Sequence, residues 1–396
     1  MDLLDLKHYA AGGPPYELFA RLRRESPVHR HAEQGGPGFW AVTRYDDVVE
    51  ASRDSATYSS FAGGTMIADA TPEQLFVVRQ MMLNMDPPQH TKLRALINKG
   101  FTPRMVAQLY ERIGELARAI VDRVAQRGEC DFVTDVAGEL PSYVIAELMG
   151  IPLDDGRELY RLTERMHTAD RSPEGQADGA QAIFEMLSYA SGIRTGKRAR
   201  PASDIASTLL AAEVDGEKLT DLEFDMFFLL LINAGGDTTR NLVAGGMLEL
   251  LRHPDALAAL RAEPRLLPGA IEEMLRFCSP VVHFRRTATR DTTLGGQPIA
   301  AGDKVAIFYA SANRDEAVFP DPDALDIARS PNEHVAFGGG GVHFCLGANL
   351  ARVEIRALFA EVLARLHDIE LAGPVERLRS SFINGPRHMP VRFRAR

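Results

Sequence analysis

This 396-residue sequence predicts a mainly α-helical protein with a minor β-sheet region, on three observations. Helical patterning with recognisable caps runs from 87 to 251 and returns at 348–366. Strand character is confined to a short stretch at 39–43 and to VVHFRRTATRDTTL, GQPIAAGDKVAIFYAS and the tail PVRFRAR. No internal repeat and no linker long enough to separate domains interrupts these elements, so a single domain over 1–396 is expected.

In chain order, residues 39–43 read as a strand and 45–51 as the start of a helix capped near Asp46. A looser stretch, 59–71, has Gly63 and Gly64 and little periodicity. From Pro87 the pattern turns helical, with Thr102-Pro103 as one start signal and Gly128 as a stop. Further helices fill 139–215, broken at Gly150-Ile151-Pro152 and around 171–175. The longest helix covers 221–251. Thr220 and Glu223 form its capping box and His253-Pro254 end it. At 1.5 Å per residue it is about 45 Å long, and its apolar middle predicts burial on most faces.

Composition narrows the function classes. The net charge is -9, from 45 Lys+Arg against 54 Asp+Glu, which argues against general nucleic-acid binding. Hydrophobic content of 45% is that of a well-cored globular protein. Three scattered cysteines, Cys130, Cys278 and Cys345, exclude a disulfide scaffold and suit a reducing compartment. The opening residues lack a basic run followed by an apolar one, and the longest apolar run, 226–232, is far short of the roughly 20 residues a membrane span needs. A cytoplasmic protein without a membrane span is the expectation.

The sharpest chemical feature is the run Phe337-Gly-Gly-Gly-Gly-Val-His343-Phe344-Cys345-Leu346-Gly347, followed at once by a helix. Glycine lets a backbone approach a flat ligand closely. A Cys just before a helix N-terminus sees unpaired N–H groups and partial positive charge that favour the thiolate. Such a thiolate is a candidate axial iron ligand. Cys130 and Cys278 have no such setting and read as structural.

The long helix carries a second feature, Ala234-Gly235-Gly236-Asp237-Thr238. Mid-helix glycine costs roughly 1 kcal/mol relative to Ala, so the pair needs a reason, and removing side chains opens a groove for a flat cofactor or O₂. Asp237 and Thr238 in an apolar helix are expensive unless they bind water or each other. Thr239 and Asn241 read as structural.

Together these segments resemble the cytochrome P450 haem-thiolate family. Its Ala-Gly-x-Asp/Glu-Thr is present as 234–238, its Glu-x-x-Arg as Glu273 to Arg276, and its helical His-x-x-x-Arg as His90 and Arg94. The segment before its haem loop is similar to Phe319-Pro-Asp-Pro-Asp. The matches come in family order across 87–352. Phe337 stands eight residues before Cys345 where the family usually has seven. The loop of a bacterial subgroup that oxidises branched lipids and steroid side chains looks similar.

The resemblance implies a cytochrome P450 fold, with haem b between the long helix and the cysteine-loop helix. It implies Cys345 as the iron ligand, with Phe337, Gly347, Ala234 and Gly235 against the haem. His90, Arg94, Arg286 and His343 would hold the propionates, and Arg285 would point to the other strand face. Thr238 would hydrogen-bond oxygen at the haem while Asp237 relays protons. Glu273 and Arg276 would form a buried structural pair. Lys92, Arg94, Lys99, Arg104, Arg352 and Arg356 would form a basic docking patch on the cysteine side.

With no GxGxxG after a strand and no length for a flavin domain, electrons are expected from a ferredoxin and its NAD(P)H-dependent reductase. The expected reaction inserts one atom of O₂ into a C–H bond of a lipophilic molecule of steroid, terpenoid, fatty acid or macrolide type. The contact regions 61–85, 161–189, 231–235, 280–284 and 381–383 offer Phe61, Met66, Ile67, Phe76, Val281, Val282 and Phe382. Peroxide-driven or other haem-thiolate chemistry, and a non-catalytic binding protein, are the alternatives. The acid–alcohol pair argues against the first of these and the retained Cys345 against the second.

Overall fold

A computed structural model of the chain describes residues 2–395 apart from 34, 101–102, 169–172 and 215, and leaves undescribed the side chains of 99–100, 103–108, 167–168, 173 and 214. Its axis is the helix Asp221–Arg252. Thr220 accepts from the Glu223 N–H while the Glu223 carboxylate accepts from the Thr220 N–H at 2.8 Å, the capping box read from the sequence. At the other end the His253 N–H donates to Glu249 and Leu250 carbonyls before Pro254 stops the helix. Phe224, Phe228, Leu242 and Met247 bury its sides in the largest apolar core. Helices Glu139–Met149, Leu153–Thr168, Pro173–Ala199, Leu267–Cys278 and Ala348–Arg365 pack around it.

The sheet region is small and lies to one side. Strands Val28–His31, Phe39–Val42, Lys304–Phe308, His283–Ala288 and Tyr58–Ser59 pair in that order, antiparallel except where Lys304–Phe308 runs parallel to Phe39–Val42. Val305 faces Arg286 across one pair and Trp40 across the other. The tail strand Pro390–Ala395 lies between Leu366–Leu371 and Glu129–Asp131. No helix among the described residues is long and apolar enough to cross a membrane.

One local reading is corrected and one helix is added. The helix Tyr45–Arg53 is not capped by Asp46, because the Tyr45 N–H takes a distant acceptor, the Asp315 carboxylate, at 2.8 Å. The loose stretch 59–71 holds no helix, and directly after it comes one that periodicity did not reveal, Pro72–Val78. Its signal was chemical, a Thr71/Gln74 capping box with proline in the first turn. The start signal at Thr102 lies outside the described residues, as do 171–172 of the break at 171–175. Helices nevertheless begin at Pro103 and Pro173.

Candidate active site

The loop before Cys345 is shaped by what its glycines touch. The Cys345 N–H donates to the Phe337 carbonyl at 2.9 Å, closing the eight-residue span. Gly341 has φ +73°, and a Cβ there would stand 2.7 Å from the Ser52 carbonyl oxygen. The loop therefore lies directly on the helix Tyr45–Arg53, at a distance no larger residue allows. Beyond it, Gly347 caps the helix Ala348–Arg365, and its N–H bonds to the cysteine sulfur.

Cys345 and Thr238 both line a single cavity of about 1650 Å³, counting its open mouth. Ala234, Gly235, Phe337, His343, Gly347, His90, Arg94 and Arg286 line the same space, so ten of the eleven site residues expected from the sequence converge. The surface exposed by Cys345 opens into this cavity. Burial pushes its thiol up, against the opposing pull of the Gly347 N–H, Arg94 and Arg352. The helix N-terminus does not by itself produce a thiolate.

Asp237 is the exception. Only 1% exposed, it lies off the cavity wall and pairs with Arg240 at 2.7 Å, one turn along the helix. Arg240 also meets the Tyr160 hydroxyl and approaches Glu164 at 3.7 Å. Thr238 does face the cavity. Its hydroxyl donates to the Ala234 carbonyl at 3.0 Å, which leaves its lone pairs to accept a bond. Gly235 has a packing reason as well, since a Cβ there would run into Ile145, whereas one on Gly236 would make only ordinary contact with the Tyr160 ring at 3.7 Å.

Arg94 and Arg286 bring positive charge to the cavity, and among the described residues neither is held in an ion pair with a carboxylate. The Arg94 guanidinium donates to the Val342 carbonyl at 2.9 Å and that of Arg286 to the Arg285 carbonyl at 2.9 Å. Arg286 is 3% exposed, and burial lowers its pKa with only weak compensation from Tyr309 and Asp86. Burial and then Arg94 depress His90 to about 4, while burial and then Arg286 depress His343 to about 2. The two rings lie 4.3 Å apart, and His90 Nδ1 is buried without a partner. Two guanidiniums and two neutral imidazoles, whose burial outweighs the charge of nearby Asp86 on His90 and Arg286, form a receptor for a dianion. The two propionates of a haem, with a cysteine beside its metal, fit that donor set.

Around this centre several expectations change. Of the apolar residues offered for substrate contact, only Val281 lines the cavity. Ile67 and Val282 are buried in a separate core, Phe61, Met66 and Phe76 face solvent, and Phe382 packs on His283 and Phe284. The expected regions 61–85, 231–235 and 280–284 do supply walls, through Met82, Leu231 and Phe284, and Ile145, Ile205 and Phe227 join them from outside those regions. Arg285 does turn to the other face, donating to Asp69 at 2.8 Å. Glu273 and Arg276 are a fully buried pair at 2.7 Å.

The basic patch is smaller than the sequence suggested. Arg352 makes two 2.7 Å bonds to Glu272 and stacks over Phe337 at 4.6 Å, Arg94 turns inward, and Arg356 is exposed. Lys92 is half-buried. The Lys99 and Arg104 side chains lie outside the described residues. Glu354 escaped notice in the sequence. It lines the cavity fully buried, one oxygen without a partner, and burial raises its pKa well above the carboxylate range. Its signal was an acid on the apolar face shared by Leu358 and Phe359.

Comparison with known proteins agrees with this geometry. The family model for cytochrome P450 matches residues 181–370. A steroid C26-monooxygenase from Mycolicibacterium smegmatis is 41% identical over 96% of this chain and 90% of its own length. A methyl-branched lipid omega-hydroxylase from Mycobacterium bovis is 40% identical over 94% and 90%. Among solved structures, Mycobacterium marinum cytochrome P450 CYP268A2 in complex with pseudoionone superposes with a TM-score of 0.90 at 40% identity, covering 96% of this chain and 94% of that one. Likeness of sequence and fold along almost the whole length places this chain in the cytochrome P450 family of haem-thiolate monooxygenases.

Proposed function

We propose that this protein, acting as one domain in the cytoplasm, hydroxylates a C–H bond of an elongated lipophilic molecule of steroid or methyl-branched lipid type. The observation that carries the reading is that Cys345, Thr238, Arg94 and Arg286 line one largely apolar cavity. Cys345 would ligate the haem iron, and Arg94, Arg286, His90 and His343 would hold the propionates. Phe337, Gly347, Ala234 and Gly235 would bound the haem faces. When bound there, haem supplies reductive activation of O₂ and transfer of one oxygen atom to a C–H bond.

The chain's own residues do the rest. Phe227, Leu231, Val281 and Phe284 hold an apolar substrate and exclude water from it. Thr238 accepts a hydrogen bond on the cavity side while its own proton stays on the Ala234 carbonyl. Asp237, after turning from Arg240, passes protons toward Thr238, and Tyr160 and Glu164 lead from Arg240 to solvent. Electrons come from a separate ferredoxin and its NAD(P)H-dependent reductase. The relatives named as steroid and lipid hydroxylases support the substrate class.

Titration of the haem-loaded protein with a branched-side-chain sterol and a methyl-branched fatty acid tests the reading, through the spin-state shift that follows loss of the iron's water. Saturable shifts with either ligand are expected. Shifts only with compact polar ligands would contradict the assignment.

A further inference from the structure

Behind the charged side of the cavity, one buried hydroxyl meets an imidazole of the lining. His343 lines the cavity, and its Nε2 lies 3.2 Å from the Ser60 hydroxyl oxygen. Ser60 is fully buried and does not line the cavity. Nε2 is therefore committed to the protein, and Nδ1 is the nitrogen left to meet a ligand. A neutral imidazole carries one proton. The nitrogen that holds it decides whether the ring offers an anion an N–H or a lone pair.

Ser60 is fixed in place by the segments that supply the other cationic lining residues. It follows the strand Tyr58–Ser59, which pairs with His283–Ala288, the strand of Arg286. The Ser60 N–H donates to one oxygen of Asp86 at 2.9 Å, and the Ser59 hydroxyl donates to the other. The Asp86 carbonyl accepts from the His90 N–H at 3.0 Å, at the start of the helix Gln89–Gly100 that carries His90 and Arg94. The Ser60 hydroxyl is left facing His343, and a hydroxyl can either donate or accept. The Met85 backbone favours a proton on the His343 ring, as a carbonyl beside an N–H does. With Nε2 turned to Ser60, that carbonyl calls for the proton on Nδ1. The opposite tautomer would set the Nδ1 lone pair against the carbonyl and against any anion in the cavity.

We propose that Ser60 is a positioning residue of the haem site. Its hydroxyl donates to Nε2 of His343 and so holds the imidazole as the Nδ1–H tautomer, the form able to donate to a propionate. This rests on the reading of the cavity as a haem site.

The test uses the haem-loaded protein, reduced and bound to carbon monoxide, with isotope-labelled histidine ring nitrogens read by magnetic resonance. His343→Gln identifies the His343 signals among those of the 11 histidines. In the parent, Nδ1 should resonate as a protonated nitrogen and Nε2 as a bare one. Ser60→Ala should move the proton partly or wholly to Nε2. The same variant should lose haem to haem-free myoglobin about tenfold faster, the effect of weakening one hydrogen bond to a charged group. It should also lower the reduction potential of the iron, because a propionate that loses a donor favours the ferric charge more strongly. Ser60→Thr keeps the hydroxyl and should restore all three readouts. A protonated Nε2 in the parent would overturn the inference however the variants fold. Faster haem loss in Ser60→Ala with tautomer and potential unmoved would overturn it too, since a merely structural bond behaves that way. Either result leaves the Cys345 assignment standing, whereas a parent that takes up no haem would overturn both.

Discussion

Arg240 and Asp237 form an ion pair at 2.7 Å across one turn of the long helix, each 1% exposed. A charge this deep is tolerated because its partner is fixed beside it and because Tyr160 and Glu164 share the guanidinium. Removing one partner leaves the other as an uncompensated buried charge. Arg240→Met is expected to destabilise the protein by about 3–5 kcal/mol. Arg240→Met with Asp237→Leu should recover most of that loss in urea unfolding. Equal stability of the single variant and the parent would show that the pair contributes nothing.

Thr238 lines the cavity with its hydroxyl donating to the Ala234 carbonyl, so Thr238→Ala removes an acceptor and leaves the other walls in place. The variant should keep its haem spectrum while diverting electrons into peroxide. The ratio of product formed to NAD(P)H consumed reads this directly, and tight coupling in the variant would contradict the role given to Thr238.

Glu272 supplies a pH dependence. Burial raises its pKa, but bonds from Arg352 and His334 prevail and hold it at about 2 against the usual 4.5. Because the folded pKa lies below the unfolded one, the ionised carboxylate stabilises the fold fully above about pH 4.5, and that stability is lost as pH falls toward about 2. Glu272→Gln should flatten the acid limb of the stability curve in this window. An unchanged limb would mean that other carboxylates dominate acid unfolding.

Gly341 tests the packing of the loop. Its φ of +73° and the 2.7 Å approach to the Ser52 carbonyl leave no room for a side chain. The left-handed conformation alone costs an alanine about 1–2 kcal/mol, before the clash is counted. Gly341→Ala should lower haem content and the midpoint of thermal unfolding together. Full haem occupancy at unchanged stability would contradict this packing.

What the sequence revealed and what it hid divide along physical lines. Local chemistry was legible. The Thr220/Glu223 capping box, the stop at His253-Pro254 and the strand alternation that sends Arg285 and Arg286 to opposite faces all appear where their residues dictate. Direction within a long buried helix was not. Asp237 and Thr238 are adjacent in sequence, yet about 100° of rotation puts one beside Arg240 and the other in the cavity. Apolar character did not separate wall from core either, since Ile67 and Val282 are as apolar as Ile145 and Phe227 but bury in another cluster. Net positive charge misled for a related reason, because the partner that neutralises Arg352 lies 80 residues away at Glu272.

The central claim is that Cys345 ligates a haem iron in this cavity. The absorption spectrum of the reduced protein under carbon monoxide, compared with that of Cys345→Ala, tests it most directly. The account predicts a strongly red-shifted Soret band in the parent and none in the variant. A band at the position of histidine-ligated haem in the parent, or an unaltered red-shifted band in Cys345→Ala, would contradict it.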